Sequence, residues 1–254
     1  QFSGKEISSR EQIDDYSFVE VIGDGVHEIA VGPVHAGIIE PGHFRFSVVG
    51  EKTLRLEARL GYTHKGVDKA FEKYLGPDGV QLAGRICGDS TVAYSWAYCM
   101  ALESAWKWRV PERALWLRAL MLERERIANH LGDLGAIGND AGFSFGLTQF
   151  MILKEQWVRL NKTLFGHRFM MDCVIAGGTR SDIDSEGFAE ILKQCEFVKK
   201  EVGILQGIYD EHTGLQDRFL TAGIVSNEVA LKLGLTGLAG RASEIVEDAR
   251  VFFP

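Results

Sequence analysis

The sequence predicts a mainly α protein, a helical bundle with a small antiparallel β-sheet at its N-terminal side. Three observations carry this expectation. Residues 27–60 alternate or run apolar in short stretches broken by glycine and proline. From Gly66 onward apolar residues recur at three- and four-residue steps, the period of a helix with one buried face. No repeat or low-complexity tract interrupts that pattern, and 254 residues, 46% hydrophobic and 25% charged, suffice for a full core.

Residues 1–25 are polar and glycine-punctuated and read as a linker or the tail of a preceding domain. Residues 26–65 are expected to form the sheet, with strands at His27 to Val31, Gly42 to Gly50 and Lys52 to Leu60. Residues 66–254 are expected to form the bundle, truncated at its C-terminus. Asp89 or Ser90 is placed to cap a helix reaching about Trp108, and Pro111 suits the first turn of the next. That helix should run from Glu112 to about Leu134, with Leu115, Ala119, Leu122, Ile127 and Leu131 inward and Glu112, Arg113, Glu123 and Glu125 wet. Further helices are expected over Thr148 to Phe165, Ser185 to His212, and Asn227 to Leu233, the last closed by Gly234. Trp96, Trp106, Trp108, Trp116 and Trp157 fall on helical stretches as core or interface anchors.

A net charge of −7, with no cluster of Lys or Arg interleaved with aromatics, argues against a nucleic-acid partner. Cys87, Cys99, Cys173 and Cys195 contain no C-x-x-C pair, so neither zinc, disulfides nor an iron–sulfur cluster is signalled, and a reducing compartment fits. No G-x-G-x-x-G follows a strand, so this chain carries no nicotinamide-binding fingerprint, and such binding, if a complex containing it uses nicotinamide, falls to another chain. No apolar run approaches the roughly 18 to 20 residues of a membrane span. The chain lacks an initiator Met and stops at an apolar Val251-Phe252-Phe253-Pro254, which suggests an internal fragment.

The most chemically suggestive segment is Arg85-Ile86-Cys87-Gly88-Asp89-Ser90, followed at once by the helical run Thr91 to Glu103. It puts a thiol and a carboxylate where a loop feeds a helix, and unpaired N–H groups there favour an anion. The plain alternative is a packed thiol. Arg85 and Lys65 nearby would favour a thiolate and Asp89 would oppose it. His35, between Gly32-Pro33 and Gly37, sits in a turn able to present its imidazole to a cleft, or is an ordinary loop histidine. His64 and Asp68 share a helical face if a helix begins at Thr63; otherwise they suit a surface ion pair. Arg126, His130 and Asp133 form one stripe of the long helix, suited to structural pairing with carboxylates such as Glu103. Gly142-Phe143-Ser144-Phe145-Gly146 matches the nucleophile-elbow pattern, but the glycine-rich residues before it do not suit the strand an elbow needs, and chance is the preferred reading.

Six segments occur in a fixed order: Gly32-Pro33-Val34-His35, Gly61 to Lys69, Cys87 to Glu103, Glu125 to Asp133, Gly166-His167-Arg168-Phe169 and Gly223-Ile224-Val225-Ser226. Together they resemble the family uniting the 49-kDa (D) subunit of respiratory complex I with the large subunits of membrane-bound, group 4 [NiFe] hydrogenases. In the hydrogenases the loop before the helix carries a C-x-x-C pair that ligates nickel and iron, and a second pair lies near the C-terminus, beyond the position of Pro254. Here the first cysteine falls on Cys87 and its companion on Ser90, a hard ligand that does not replace a thiolate. Quinone-reducing members use a Tyr that falls on Gly88 and a His that falls on His35. The family's His-Arg-Gly-x-Glu tag stands as His64-Lys65-Gly66-Val67-Asp68, so the carboxylate is one methylene shorter and the guanidinium fork is lost.

The resemblance implies a subunit of a membrane-associated oxidoreductase complex of the NADH:quinone oxidoreductase or hydrogenase type, inactive as a fragment alone. It implies a cavity holding a quinone or, through Cys87, a [NiFe] centre. Cys87, Asp89, Asp68 and His64 are the catalytic candidates, and His35, Arg85 and Gly88 the substrate-binding ones. No cofactor is expected in this fragment itself. An iron–sulfur small subunit resembling the one in complex I would carry a [4Fe-4S] cluster, membrane-arm subunits would complete the assembly, and the location would be cytoplasmic, peripheral to the inner face of the plasma membrane. The competing reading is a non-catalytic scaffold that has lost the nickel site, motivated by Ser90.

Overall fold

The computed structural model describes residues 17–33, 41–74, 76–248 and 251. Two compact units are present, Gln1–Ala70 and Phe71–Pro254.

The first unit holds a three-stranded antiparallel meander, β1 (Val26–Val31), β2 (His43–Val49) and β3 (Lys52–Arg59), in the order β1-β2-β3. Val49 pairs with Lys52 across a two-residue turn, and Gly50 supplies the positive φ (+57°) that such a tight hairpin requires. The register shifts between Ser47 and Val48, the mark of a bulge in the central strand. Arg45 on β2 pairs with Glu28 on β1 at 3.3 Å and lies 4.0 Å above the Phe18 ring. After the sheet, α1 (Val67–Phe71) begins four residues later than a start at Thr63 would place it. A turn closes from the Gly61 carbonyl to the His64 N–H, and Gly66 is at φ +65°, so helical geometry starts only at Val67. His64 and Asp68 therefore do not share a helical face.

The second unit is the helical bundle: α2 (Gly79–Ala83), α3 (Thr91–Trp106), α4 (Glu112–Asp140), α5 (Ser144–Phe165), α6 (Ser185–Glu211), α7 (Thr213–Phe219), α8 (Asn227–Leu233) and α9 (Gly237–Ala242). The mainly α class with a small N-terminal sheet is thus observed. α3 stops at Lys107, which takes a left-handed φ of 56° and donates its N–H back to Ser104. α4 continues past Leu134 to Asp140, although Gly132, Gly135 and Gly138 each cost a helix interior about 1 kcal/mol. All three are buried, and they let α5 and α6 approach: a Cβ on Gly135 would lie 3.2 Å from Phe150 Cβ, and one on Gly138 only 2.1 Å from the Tyr209 hydroxyl. Close packing offsets the propensity penalty. α4 and α5 form an antiparallel hairpin across a three-residue link. Ser144 opens α5 directly after α4 with no strand before it, so the G-x-S-x-G segment is not a nucleophile elbow. A two-residue ladder, β4 (Val174–Ile175) against β5 (Gly178–Thr179), interrupts the helical pattern.

Two apolar clusters fill the bundle. One gathers Val92, Cys99, Leu117, Met121, Met170 and Ile191; the other gathers Ala128, Leu131, Phe150, Trp157, Val198 and Leu205. Each fully buried large side chain contributes about 1.5–3 kcal/mol. Of the five tryptophans, Trp157 is core, 1% exposed, while Trp106, Trp108 and Trp116 lie at the surface. A buried ion pair locks α3 to α4: Arg118, 0% exposed, donates to both Glu103 oxygens at 2.6 and 3.0 Å and to the Ile175 and Gly178 carbonyls of the small ladder. Glu103 also accepts the Gly177 N–H at 2.8 Å. Glu103's partner is therefore Arg118. Arg126 bonds Glu123 one turn back, and His130 and Asp133 are exposed, so that stripe does not reach Glu103.

Candidate functional site

The loop entering α3 is built from backbone upward. Cys87 is extended (φ −141°, ψ 126°), Gly88–Ser90 form a single 3₁₀ turn, and the α-helix follows at Thr91. The Ser90 N–H closes the turn onto the Cys87 carbonyl at 3.3 Å. This geometry folds the two polar side chains toward one another: the Cys87 thiol donates to Asp89 Oδ1 at 2.7 Å.

Neither Asp89 nor Ser90 caps α3 with its side chain, contrary to the sequence expectation. The cap comes from α4. Glu125 accepts the N–H of Val92 at 2.6 Å and of Ala93 at 3.0 Å, satisfying two of the donors a helix start leaves open. One turn along α4, Asn129 donates to the Asp89 carbonyl at 2.9 Å. Glu125 is 6% exposed, and burial pushes its carboxyl up to about 7, helped by the negative charge of Asp89 and opposed by the two N–H bonds. A carboxyl poised there can take or release a proton near neutral pH. Sequence reasoning placed Glu125 on the wet face of its helix; its presence with Asn129 in the segment Glu125 to Asp133 was the one available hint.

Arg85 makes a two-point bond to Asp172 at 2.7 and 2.8 Å and donates to the Gln81 carbonyl at 2.7 Å. Its guanidinium holds the Asp172 carboxyl below the usual range. The positive charge expected to favour a Cys87 thiolate is thus engaged by a carboxylate from a distant loop. Gly88 faces open space, with nothing within 4 Å of where a Cβ would stand. A cavity of about 640 Å³ opens beside this loop between α4 and α9, lined among others by Ser90, Glu125, Arg126, Asn129, Thr236 and Arg241.

The structure brings Cys87, Gly88 and Asp89 together with Arg85 two residues upstream. His64 and Asp68 belong to the first unit, both exposed, and His64 Nδ1 accepts the Gly66 N–H at 3.1 Å. His35 lies outside the described residues. Among the described residues no group of three or more His, Cys, Asp and Glu side chains is arranged to hold a metal ion. Cys99 and Cys173 are buried in the core, where desolvation pushes both thiols up to about 11. Of the two positions in this loop that carry cysteines in the hydrogenases, one is Cys87, whose thiol is engaged by Asp89, and the other is Ser90, a harder donor than a thiolate.

A family model described as the respiratory-chain NADH dehydrogenase 49 Kd subunit matches residues 140–254. Formate hydrogenlyase subunit 5 of Escherichia coli is 32% identical over 95% of this chain and 43% of its own length. The D subunit of NADH-quinone oxidoreductase from Campylobacter curvus is 29% identical over 89% of this chain and 56% of its own length. The chain is related to the 49-kDa subunit and hydrogenase large-subunit family. A chain in the structure of the membrane-bound sulfane sulfur reductase, an archaeal respiratory membrane complex, superposes with a TM-score of 0.84 at 25% identity, covering 91% of this chain and 62% of that one. The chain spans about half the length of the curated relatives it matches. Among the described residues, no helix is long and apolar enough to cross a membrane.

Proposed function

We propose that this chain is part of the large subunit of a membrane-associated oxidoreductase complex, and that its site takes a quinone-like organic head group in preference to nickel and iron. The observation that carries this reading is the Cys87–Asp89 hydrogen bond in a loop pinned by Glu125 and Asn129 beside a cavity. A lone thiol already donating to a carboxylate is a poor start for a multi-thiolate metal centre. Asp89 and buried Glu125, by contrast, are acid–base groups that a proton-coupled reduction requires. In this reading Asp89 and Cys87 border the acceptor, Gly88 leaves it room, and Arg85 fixes the loop through Asp172. His35, His64 and Asp68 take the proton-handling roles that the family resemblance implies. Electrons come from an iron–sulfur subunit, and membrane-arm subunits anchor the peripheral assembly at the inner face of the membrane.

The test is paired metal analysis and quinone labelling of the full-length protein purified with its partners. Negligible nickel together with photolabelling of residues 85–90 by a quinone analogue is the expected result; near-stoichiometric nickel overturns the quinone assignment. The serine in place of the second loop cysteine favours one further reading, a scaffold without redox chemistry. Absence of both nickel and labelling, in an assembled complex, selects it.

A further inference from the structure

The helix that follows the Cys87 loop has almost no charge on any side. Of the 16 residues of α3, Glu103 alone bears a charge, and it is buried against Arg118, whereas 25% of the whole chain is charged. One side of α3 enters the core through Val92, Ser95 and Cys99. The opposite side is exposed and consists of Tyr94, Ala97, Met100, Ala101, Ser104 and Ala105, with Tyr94 at 41% and Met100 at 40% exposure. The other long helices differ: α4 exposes Glu112, Arg113 and Asp133, and α6 exposes Glu190, Lys193 and Glu196. A helix uncharged all round suits an interior, where a charged side chain would be stripped of water.

We propose that this uncharged face of α3 is the seat of a further helix of the same polypeptide, supplied by the part of the large subunit that this chain does not include. The inference rests on reading the chain as part of a large subunit. Two observations favour this occupant over a separate protein. The chain spans about half the length of its curated relatives and 62% of the solved chain on which it superposes, so proteins of this kind have the length to supply the cover. The face itself has the composition of a core cut open, while a separable contact carries a polar and charged rim. The small side chains of Ala97 and Ala101 let a neighbouring helix axis approach to about 8–10 Å. Such a helix would also border the thiol-bearing loop, because α3 begins directly after Gly88–Ser90.

The experiment is hydroxyl-radical footprinting of the unmodified full-length polypeptide, purified alone and again with its partner subunits. Oxidation of Tyr94 and Met100 is mapped by peptide mass spectrometry, each rate is compared with that of the same residue in the digested protein, and light scattering counts the copies. In the monomeric polypeptide alone, both residues should oxidise at least about tenfold more slowly than in the digest, as core side chains do. A slowing of only about two- to threefold, which 41% and 40% exposure would give, overturns the proposal. So does strong protection that appears only in a dimer or only when a partner subunit is added. A native polypeptide ending at Pro254 removes the large-subunit reading and this proposal together; reactive Tyr94 and Met100 in a longer polypeptide remove this proposal alone.

Discussion

Replacing Glu125 with glutamine separates the charge of this side chain from its shape. In the folded protein the carboxyl titrates near 7, against an ordinary 4.5, because burial outweighs its two N–H bonds. The folded state therefore holds the proton more tightly than the unfolded chain. The stability this proton confers is fully present below about pH 4.5 and is lost as pH rises through about 7. At 1.36 kcal/mol per pKa unit the loss is about 3 kcal/mol. Glutamine removes the titration and keeps one carbonyl acceptor, while its amide nitrogen cannot accept the second N–H. On top of a pH-independent offset from the lost acceptor, the stability of Glu125→Gln relative to wild type should rise by about 3 kcal/mol between pH 4 and pH 8, a large part of a typical domain's stability. Urea unfolding from pH 4 to 8, with the m-value checked for constancy, gives the difference curve, and groups that titrate alike in both proteins cancel from it. A difference that does not change with pH, or one in which the wild type gains on the variant as pH rises, would refute the argument that Glu125 is a desolvated carboxyl.

Other substitutions address packing and the loop. Removing one partner of the Glu103–Arg118 pair, as Glu103→Gln or Arg118→Met, strands a buried charge or its donors and should cost about 3–5 kcal/mol by urea unfolding; replacing both with apolar residues should recover much of it. Gly138→Ala drives a methyl into the Tyr209 hydroxyl and should cost about 1–3 kcal/mol. Gly207→Ala, which meets nothing within 4 Å, should be neutral or stabilise α6 by up to about 1 kcal/mol. Gly88→Ala, whose added Cβ meets nothing within 4 Å, should fold with stability within about 0.5 kcal/mol of wild type, measured by thermal melting.

Features set by neighbours in sequence were legible before the structure. α8 runs from Asn227 to Leu233 because Ser226 caps it and Gly234 ends it in a left-handed turn, and both signals are local. The same holds for the first strands, whose breaks are glycine and proline. Features set by distant packing were not legible. The helix expected to end near Leu134 runs on to Asp140, because Gly135 and Gly138 pack closely against Phe150 and Tyr209. β4 and β5 are two residues each, too short to show a period. At the site, the thiol and carboxylate of the loop were visible, while their supports were not: Glu125 caps Val92 from 33 residues away, and Asp172 holds Arg85 from 87 residues away. Glu103 was expected to meet the Arg126 stripe, but the helix rotation set by the core presents Arg118 instead.

The grip of α4 on the start of α3 has a mechanical consequence. Glu125 and Asn129 stand one turn apart and take hold of backbone on either side of Ser90, so the thiol-bearing loop hangs from α4 as from a handle. A force that slides or rolls that long rod would travel to Cys87 and Asp89 as a change of position, with no bond inside the loop itself needing to break.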